Sequence, residues 1–207
     1  MARMPVEKRR ELLLDAAFRV IANAGVDGAT TRAISAEADV TLSTFHYVFD
    51  SREELLTALV QRGIDSELGV IEAALRAGTA APTRGATGVV TTLRTALFGY
   101  IDALVADPER EQAMISLNQY ARQTTGLATL GAEMYRRYYA TIARGLESAA
   151  AQSDVTWDQA TADLAPLVVA ATDGITLAYL NTRDRRICER IAEATVTVLA
   201  DHITSPH

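Results

Sequence analysis

Cysteine, glycine, proline, lysine and aromatic residues are all scarce in this chain of 207 residues. The one cysteine, Cys188, has no second cysteine with which to form an internal disulfide. No histidine or cysteine accompanies it at the spacing of metal ligands, so we expect neither a metal site nor a cofactor. With no apolar export signal near its N-terminus, the chain is expected to be a soluble protein of a reducing bacterial cytoplasm.

Alanine, the best helix former, outnumbers the helix-breaking residues glycine and proline. Glycine and proline together fill 17 positions, whereas alanine fills 37. This composition favours an all-α fold. The net charge of −6 excludes a general polyanion binder, so any contact with nucleic acid must come from a local patch.

Long uninterrupted apolar runs are also missing. The most apolar stretch, 164–180, contains Pro166, Thr172 and Asp173, and it is too short and too polar for a membrane span. We therefore expect no membrane association.

Apolar residues recur at three- and four-residue intervals along most of the chain, as on one buried face of a helix. This period predicts about nine helices, which lie at about 6–24, 31–38, 42–48, 52–77, 87–106, 108–123, 127–152, 157–181 and 183–203. Residues 78–85 are expected to form a loop. The predicted fold class is all-α, with an N-terminal three-helix region followed by a larger helical region.

Several helix starts carry capping signals. Thr30 is placed to cap the second helix, and Ser51 followed by Glu54 forms a capping box for the fourth. Thr156 with Gln159 predicts another capping box, at the start of the eighth helix. Pro166 then predicts a kink or break within that helix.

The second and third helices are short and separated by a tight break at 39–41, the outline of a helix-turn-helix. In that motif the second helix of the pair enters the DNA major groove. Its inward face would hold Val40, Phe45 and Phe49, and Asp39 is interpreted as its N-cap. Its outward face offers small or flat hydrogen-bonding groups.

The residues themselves resemble a known family. The run from Thr30 through the Ile-x-x-x-Ala of the second helix, Val40, Phe49 and Ser-Arg-Glu-Glu-Leu at 51–55 is similar to the N-terminal domain of TetR-family transcriptional regulators. The resemblance covers residues 9–60. Four positions depart from the usual pattern, where Asp39 and Ser43 replace glycine, His46 replaces tyrosine and Arg52 replaces lysine.

This resemblance implies a helix-turn-helix DNA-binding domain at 1–62 and a ligand-binding and dimerisation domain at 63–207. It implies a homodimer that pairs through about 157–203, binds a palindromic duplex and is released by a small-molecule effector that moves the fourth helix. A repressor is favoured over an activator, and no enzyme activity is expected.

The candidate DNA-binding residues lie on or beside the helix-turn-helix. They are Thr31, Arg32, Thr41, Ser43, Thr44, His46, Tyr47 and Arg52.

Candidate effector residues combine aromatic and apolar side chains with a few polar groups on otherwise apolar helix faces, as small-molecule pockets do. They are Phe98, Met114, Leu117, Asn118, Tyr135, Tyr139 and Asp173. Asn118 and Asp173 are the sharper candidates, because a polar group on a buried face needs a partner. A neighbouring helix or solvent could equally supply one.

Two other interpretations fit the same residues. The chain could be a helical small-molecule carrier or enzyme with a merely structural helix-turn-helix. It could also be an interaction protein that binds partner helices through the apolar faces of 157–203. Against an enzyme, no nucleophile–base pair, phosphate loop or metal cluster is visible in the sequence.

Overall fold

A computed structural model describes residues 5–78, 83–125 and 127–204, with backbone alone at 66, 67, 70, 71, 74, 75, 77, 78 and 128. Within these residues the fold has nine helices and one two-stranded ribbon. The helices are α1 (Val6–Gly28), α2 (Thr31–Glu37), α3 (Leu42–Val48), α4 (Arg52–Gly78), α5 (Gly85–Ala106), α6 (Pro108–Gln123), α7 (Ala128–Ser153), α8 (Thr161–Thr182) and α9 (Arg185–Ala200). The ribbon pairs β1 (Thr156–Trp157) with β2 (Ile203–Thr204). The all-α prediction is confirmed, and part of the predicted loop at 78–85 lies outside the described residues.

The contacts divide the chain into two compact units. The first holds the described residues up to Asp65 together with Pro108–Ala132, and the second holds Ser66–Asp107 and the residues from Glu133 onward. Helix α6 therefore packs with the N-terminal helices, chiefly with α1. The predicted domain boundary after residue 62 stays a prediction.

The first unit is built around the buried faces of α1 to α4. Leu13, Ile34, Phe45, Phe49 and Leu56 have no exposed surface. Burying such side chains contributes about 1.5–3 kcal/mol each, which fixes the angle of the short helices α2 and α3. Phe45 and Phe49 are buried as predicted, whereas Val40 is only half-buried, because it lies in the turn before α3.

The second unit packs α5 against α8 and α9. A bidentate ion pair joins Arg94 on α5 to Glu193 on α9, with N–O distances of 2.7 and 2.8 Å. Tyr100 on α5 shares a hydrogen bond of 2.6 Å with Thr176 on α8.

Two helices, α5 and α8, are long and apolar enough to cross a membrane by length and composition alone, with mean hydropathies of 1.4 and 1.3. The apolar stretch at 164–180 is too short for a membrane span, but α8 is longer than this stretch and extends from Thr161 to Thr182. Core helices of soluble proteins meet the same criterion. The ion pair of Arg94 and the buried hydroxyl of Thr176 favour that role for both helices.

The predicted start of the eighth helix is wrong. Thr156 is no helix cap, since it pairs with Thr204 in the ribbon, and α8 begins at Thr161. The indole N–H of Trp157 donates to the carbonyl of Leu146 at 3.0 Å, which holds this segment against α7. The paired residues are 48 positions (Thr156 and Thr204) and 46 positions (Trp157 and Ile203) apart, so a local pattern could not predict the ribbon.

Helix α8 does not break at Pro166, because the residue lies inside one continuous helix. It falls in the second turn, where its missing N–H removes a single helical hydrogen bond. The alternative, a kink, stays a prediction.

Candidate functional sites

The turn between α2 and α3 is a Schellman motif. The N–H of Val40 donates to the carbonyl of Ser35 at 2.9 Å, and the N–H of Asp39 donates to that of Ala36 at 3.1 Å. Asp39 has a φ of 52°, the left-handed conformation that this position requires. Glycine adopts it without strain, which explains why the TetR pattern has glycine there.

Interpreting Asp39 as the N-cap of α3 is therefore wrong. Thr41 caps this helix, because its hydroxyl accepts the N–H of Thr44 at 3.3 Å. Asp39 belongs to the end of α2, and a left-handed residue two positions earlier cannot satisfy the first turn of α3. The predicted cap of α2 is confirmed, since Thr30 accepts the N–H of Ala33 at 3.1 Å.

Three hydroxyl groups cluster at the N-terminal end of α3. The Thr41 Oγ1 atom lies 2.9 Å from the Ser43 Oγ and 2.9 Å from the Thr44 Oγ1. Thr41 and Ser43 are exposed and Thr44 is half-buried. Each hydroxyl can donate and accept, so the cluster can face phosphate oxygens or base edges.

Two flat side chains extend this surface along α3. His46 is exposed, and Tyr47 is 58% exposed. The ring of His46 packs edge-on against the buried Phe45, at 5.4 Å between centroids. We call Thr41, Ser43, Thr44, His46 and Tyr47 the α3 surface.

Helix α1 places a cation beside this surface. The Arg9 guanidinium carbon lies 5.8 Å from the centroid of the Tyr47 ring, and that of Arg10 lies 4.6 Å from the Phe49 ring. Arg9 is not one of the candidate DNA-binding residues that the sequence predicts. No local signal could select it, because Tyr47 lies 38 positions further along the chain.

The remaining predicted DNA-binding residues differ in their exposure and in their hydrogen bonds. Arg32 is exposed on α2, and Thr31 is half-buried, with its carbonyl accepting the Ser35 hydroxyl at 2.7 Å. Arg52 is half-buried and donates from Nε to the carbonyl of Ala29 at 2.8 Å and from Nη2 to that of Val26. Its guanidinium carbon also lies 5.8 Å from the Tyr120 ring centroid. The structure thus gives Arg52 an internal role, and its predicted phosphate contact stays untested.

The candidate effector residues divide between the two units. Met114, Leu117 and Asn118 belong to the first, whereas Phe98, Tyr135, Tyr139 and Asp173 belong to the second. Met114 and Leu117 are buried in the core of the first unit. A side chain added at Gly63 on α4 would place its Cβ 2.2 Å from the Met114 sulfur, so this methionine occupies the space above that glycine.

Two of these residues contain polar atoms that lack a full set of partners. The Oδ1 atom of Asn118 is buried without a hydrogen bond to any described residue. Asp173 accepts the Tyr135 hydroxyl at 2.7 Å. Burial raises the pKa of the Asp173 carboxyl, and this hydrogen bond works in the opposite direction.

Comparison with known proteins shows which family has a similar sequence. Residues 13–59 match the family described as bacterial regulatory proteins, tetR family. The chain is also 25% identical over 200 residues to the HTH-type nicotine-responsive transcriptional repressor HdnoR of Paenarthrobacter nicotinovorans, covering 93% of this chain and 96% of that protein. Residues 13–59 therefore match the N-terminal domain of the TetR family, and over most of its length the chain is a homologue of a TetR-type repressor.

Solved structures share the TetR fold over nearly the whole length. A transcriptional regulator from Rhodococcus sp. Rha1 superimposes with a TM-score of 0.72 at 16% identity, covering 96% of this chain and 99% of that one. The multidrug binding protein EbrR, complexed with imidazole, gives a TM-score of 0.64 at 24% identity, covering 96% and 97%. These structures establish the fold of the chain, and the similarity to HdnoR makes it a homologue of a transcriptional repressor.

Proposed function

We propose that this TetR-family chain is a homodimeric, cytoplasmic repressor that binds a palindromic operator and is released by a small-molecule effector. The observation that carries the proposal is the α3 surface, in which exposed hydroxyl and flat side chains stand on a helix fixed by the fully buried Phe45 and Phe49. Such a surface is suited to the major groove, where hydroxyls and planar groups contact base edges and phosphates.

The proposed contacts on DNA are the five residues of the α3 surface, Thr31 and Arg32 on α2, and Arg9. Arg9 supplies the positive charge that the α3 surface lacks, and charge on phosphates provides most of the non-specific affinity. We leave Arg52 out of this set, because two of its donor atoms already bind backbone carbonyls.

Dimerisation is proposed through α8 and α9. Leu167 and Leu177 on α8 and Val198 on α9 are 38, 50 and 46% exposed, although they are large and apolar. Ile191 and Ala194 continue the exposed side of α9. A second copy that covered these faces would bury apolar surface at about 25 cal/mol per Å².

Effector binding is proposed within residues 63–207. The repressor HdnoR is described as nicotine-responsive and EbrR as a multidrug binding protein, so regulators of this fold take up small organic molecules. An effector releases DNA only if it binds better to the conformation that does not fit the operator.

The proposal is tested by fluorescence anisotropy with a duplex enriched from a random library. We expect Tyr47→Ala to lower affinity at least tenfold while size-exclusion chromatography still shows a dimer. Tyr179→Ala is the matched control, because Tyr179 also has an arginine, Arg183, over its ring, at 5.6 Å. Equal losses in both variants, or affinity that does not fall with rising salt, would overturn the proposal and favour a carrier with a structural helix-turn-helix.

A further inference from the structure

A cluster of three tyrosines in the second unit contacts a carboxylate through one of its members, Tyr135. Tyr135, Tyr138 and Tyr139 lie on α7, and Asp173 lies on α8. The Tyr135 hydroxyl donates to the Asp173 Oδ2 atom at 2.7 Å. The Tyr135 ring centroid is 5.9 Å from that of Tyr138 and 5.9 Å from that of Tyr139. Helix α8 thus supplies a negative charge beside the aromatic face of α7.

Asp173 has no positively charged partner. Among the residues that the structure describes, no lysine, arginine or histidine forms an ion pair with it, and its Oδ1 atom accepts no hydrogen bond. Some other carboxylates of this unit do form ion pairs, Asp102 with Arg185 at 2.7 Å and Glu193 with Arg94 at 2.7 Å. An unpaired carboxylate that its surroundings partly desolvate gains free energy when a cation binds.

The tyrosine rings favour the same kind of ligand. The face of an aromatic ring is negative and attracts a cation within about 6 Å of its centroid. Tyr135 and Tyr139 are half-buried, so ring surface remains accessible. Tyr138 is only 8% exposed, and its hydroxyl is buried with no hydrogen-bond partner among the described residues. A buried hydroxyl of this kind is a further polar group that a ligand can satisfy.

The carboxylate is accessible, because Asp173 is exposed at the edge of α8 that faces Tyr135 on α7. A metal ion is a poor occupant, because within the described part of the chain no group of three or more histidine, cysteine, aspartate or glutamate side chains is arranged to hold one. The site is better suited to an organic cation, which is larger than a metal ion and carries apolar groups around its charge.

We propose that Asp173, with the rings of Tyr135 and Tyr139, binds the positively charged nitrogen of an organic amine or quaternary ammonium compound. The inference rests on the proposed function, because it assigns a chemical class to the effector. The carboxylate pairs with the charge and the rings cover the alkyl groups around the nitrogen. Carboxylates and other anions are excluded from the site by repulsion from Asp173.

Isothermal titration calorimetry of the full chain tests this with two probes of the same shape, choline and its uncharged isostere 3,3-dimethylbutan-1-ol. We expect choline to bind at least tenfold more tightly than the isostere. Benzyltrimethylammonium should bind more tightly than choline, since its ring can stack on tyrosine. Equal binding of the charged and uncharged probes would overturn the proposal.

Variants locate the site. Asp173→Asn should lower choline affinity about tenfold, to the level of the isostere. Tyr139→Phe, which keeps the ring, should bind nearly as wild type, whereas Tyr139→Leu should lose several-fold. Asp163→Asn is the matched control, because it removes another exposed carboxylate from the same helix. If Asp163→Asn reduced affinity as much as Asp173→Asn does, the effect would be one of net charge and the site would be refuted.

DNA binding without any amine separates this inference from the proposed function. Asp173→Asn should form dimers and bind the enriched duplex as wild type does. If wild type bound DNA but the amine probes did not bind to it, the cation site would be refuted and the regulator would stand. If wild type bound the amines through Asp173 but no DNA, the regulator would be refuted and the cation site would stand.

Discussion

At the scale of single residues, Asp39 shows how a backbone requirement and a surface charge meet at one position. The Schellman turn needs a left-handed residue, and a residue other than glycine pays about 1 kcal/mol for that conformation. The same carboxylate is exposed next to the α3 surface, where it repels phosphate. The position is therefore unfavourable both for stability and for affinity to DNA.

Replacing Asp39 by glycine should raise stability by about 1 kcal/mol, which corresponds to a rise in Tm of roughly 2–4 °C. It should also raise affinity for DNA by removing the charge. Asp39→Ala separates the two effects, since it should raise affinity without raising Tm. Thermal unfolding and anisotropy measure both, and a fall in Tm for Asp39→Gly would contradict the assignment of this turn.

Arg52 offers a second test at this scale, because its donors bind the carbonyls of Val26 and Ala29 just before α2. Arg52→Met should cost about 2 kcal/mol of unfolding free energy, as expected for lost hydrogen bonds from a charged donor. The salt dependence of DNA binding should not change. If instead the slope of log affinity against log salt concentration fell by about one while stability was unchanged, the result would support a phosphate contact by Arg52.

At the scale of elements, α4 and α6 meet where a glycine makes room for a methionine. The Met114 sulfur would lie 2.2 Å, and its methyl carbon 2.6 Å, from a Cβ at Gly63, with Phe18 of α1 at 3.6 Å. Three helices of the first unit therefore share one packing point. Helix α6 carries predicted effector residues, and α4 follows the helix-turn-helix. This contact could therefore couple effector binding to the position of the helix-turn-helix.

A double-mutant cycle measures that contact. Gly63→Ala alone should destabilise the protein by about 1–3 kcal/mol through overpacking. In a Met114→Ala background the same change should cost less, with a coupling energy of about 0.5–3 kcal/mol. Urea unfolding gives the four free energies. Purely additive effects would show that the methionine does not fill the space above Gly63.

Local sequence signals predicted most of these elements. The helices α3 and α6 begin and end as predicted, and the Ser51 cap of α4 is confirmed by the Glu54 N–H at 3.0 Å. These features depend on residues within one helical turn of each other. The ribbon of β1 with β2 and the Arg9–Tyr47 contact were missed, because they join residues 38 or more positions apart.

The candidate sites were predictable to a smaller degree. The outward positions of α3 follow from helical period and from the family resemblance, and the structure places them on one exposed surface. The effector set rests on composition, which cannot tell a core residue such as Leu117 from a ligand contact. Only the tertiary packing brings Tyr135 to Asp173.

At the scale of the whole molecule, the proposed dimer interface is formed by the apolar faces of α8 and α9. Leu177→Arg combined with Val198→Arg should give a monomer in sedimentation velocity while the helical circular dichroism is retained. DNA affinity should then fall steeply, since a single α3 reads only one half-site. Arg186→Ala, on the exposed side of the first turn of α9, serves as the control and should stay dimeric. A double variant that remained dimeric would place the interface elsewhere.

The central claim is that α3 reads the bases of a symmetric operator, and selection from a random duplex library tests it most directly. Wild type and His46→Tyr, which restores the residue usual in the TetR pattern, are selected in parallel. We expect wild type to enrich an inverted repeat, and the variant to enrich one that differs at the same position in both halves. Failure of wild type to enrich any sequence, or identical sequences from both proteins, would contradict the claim.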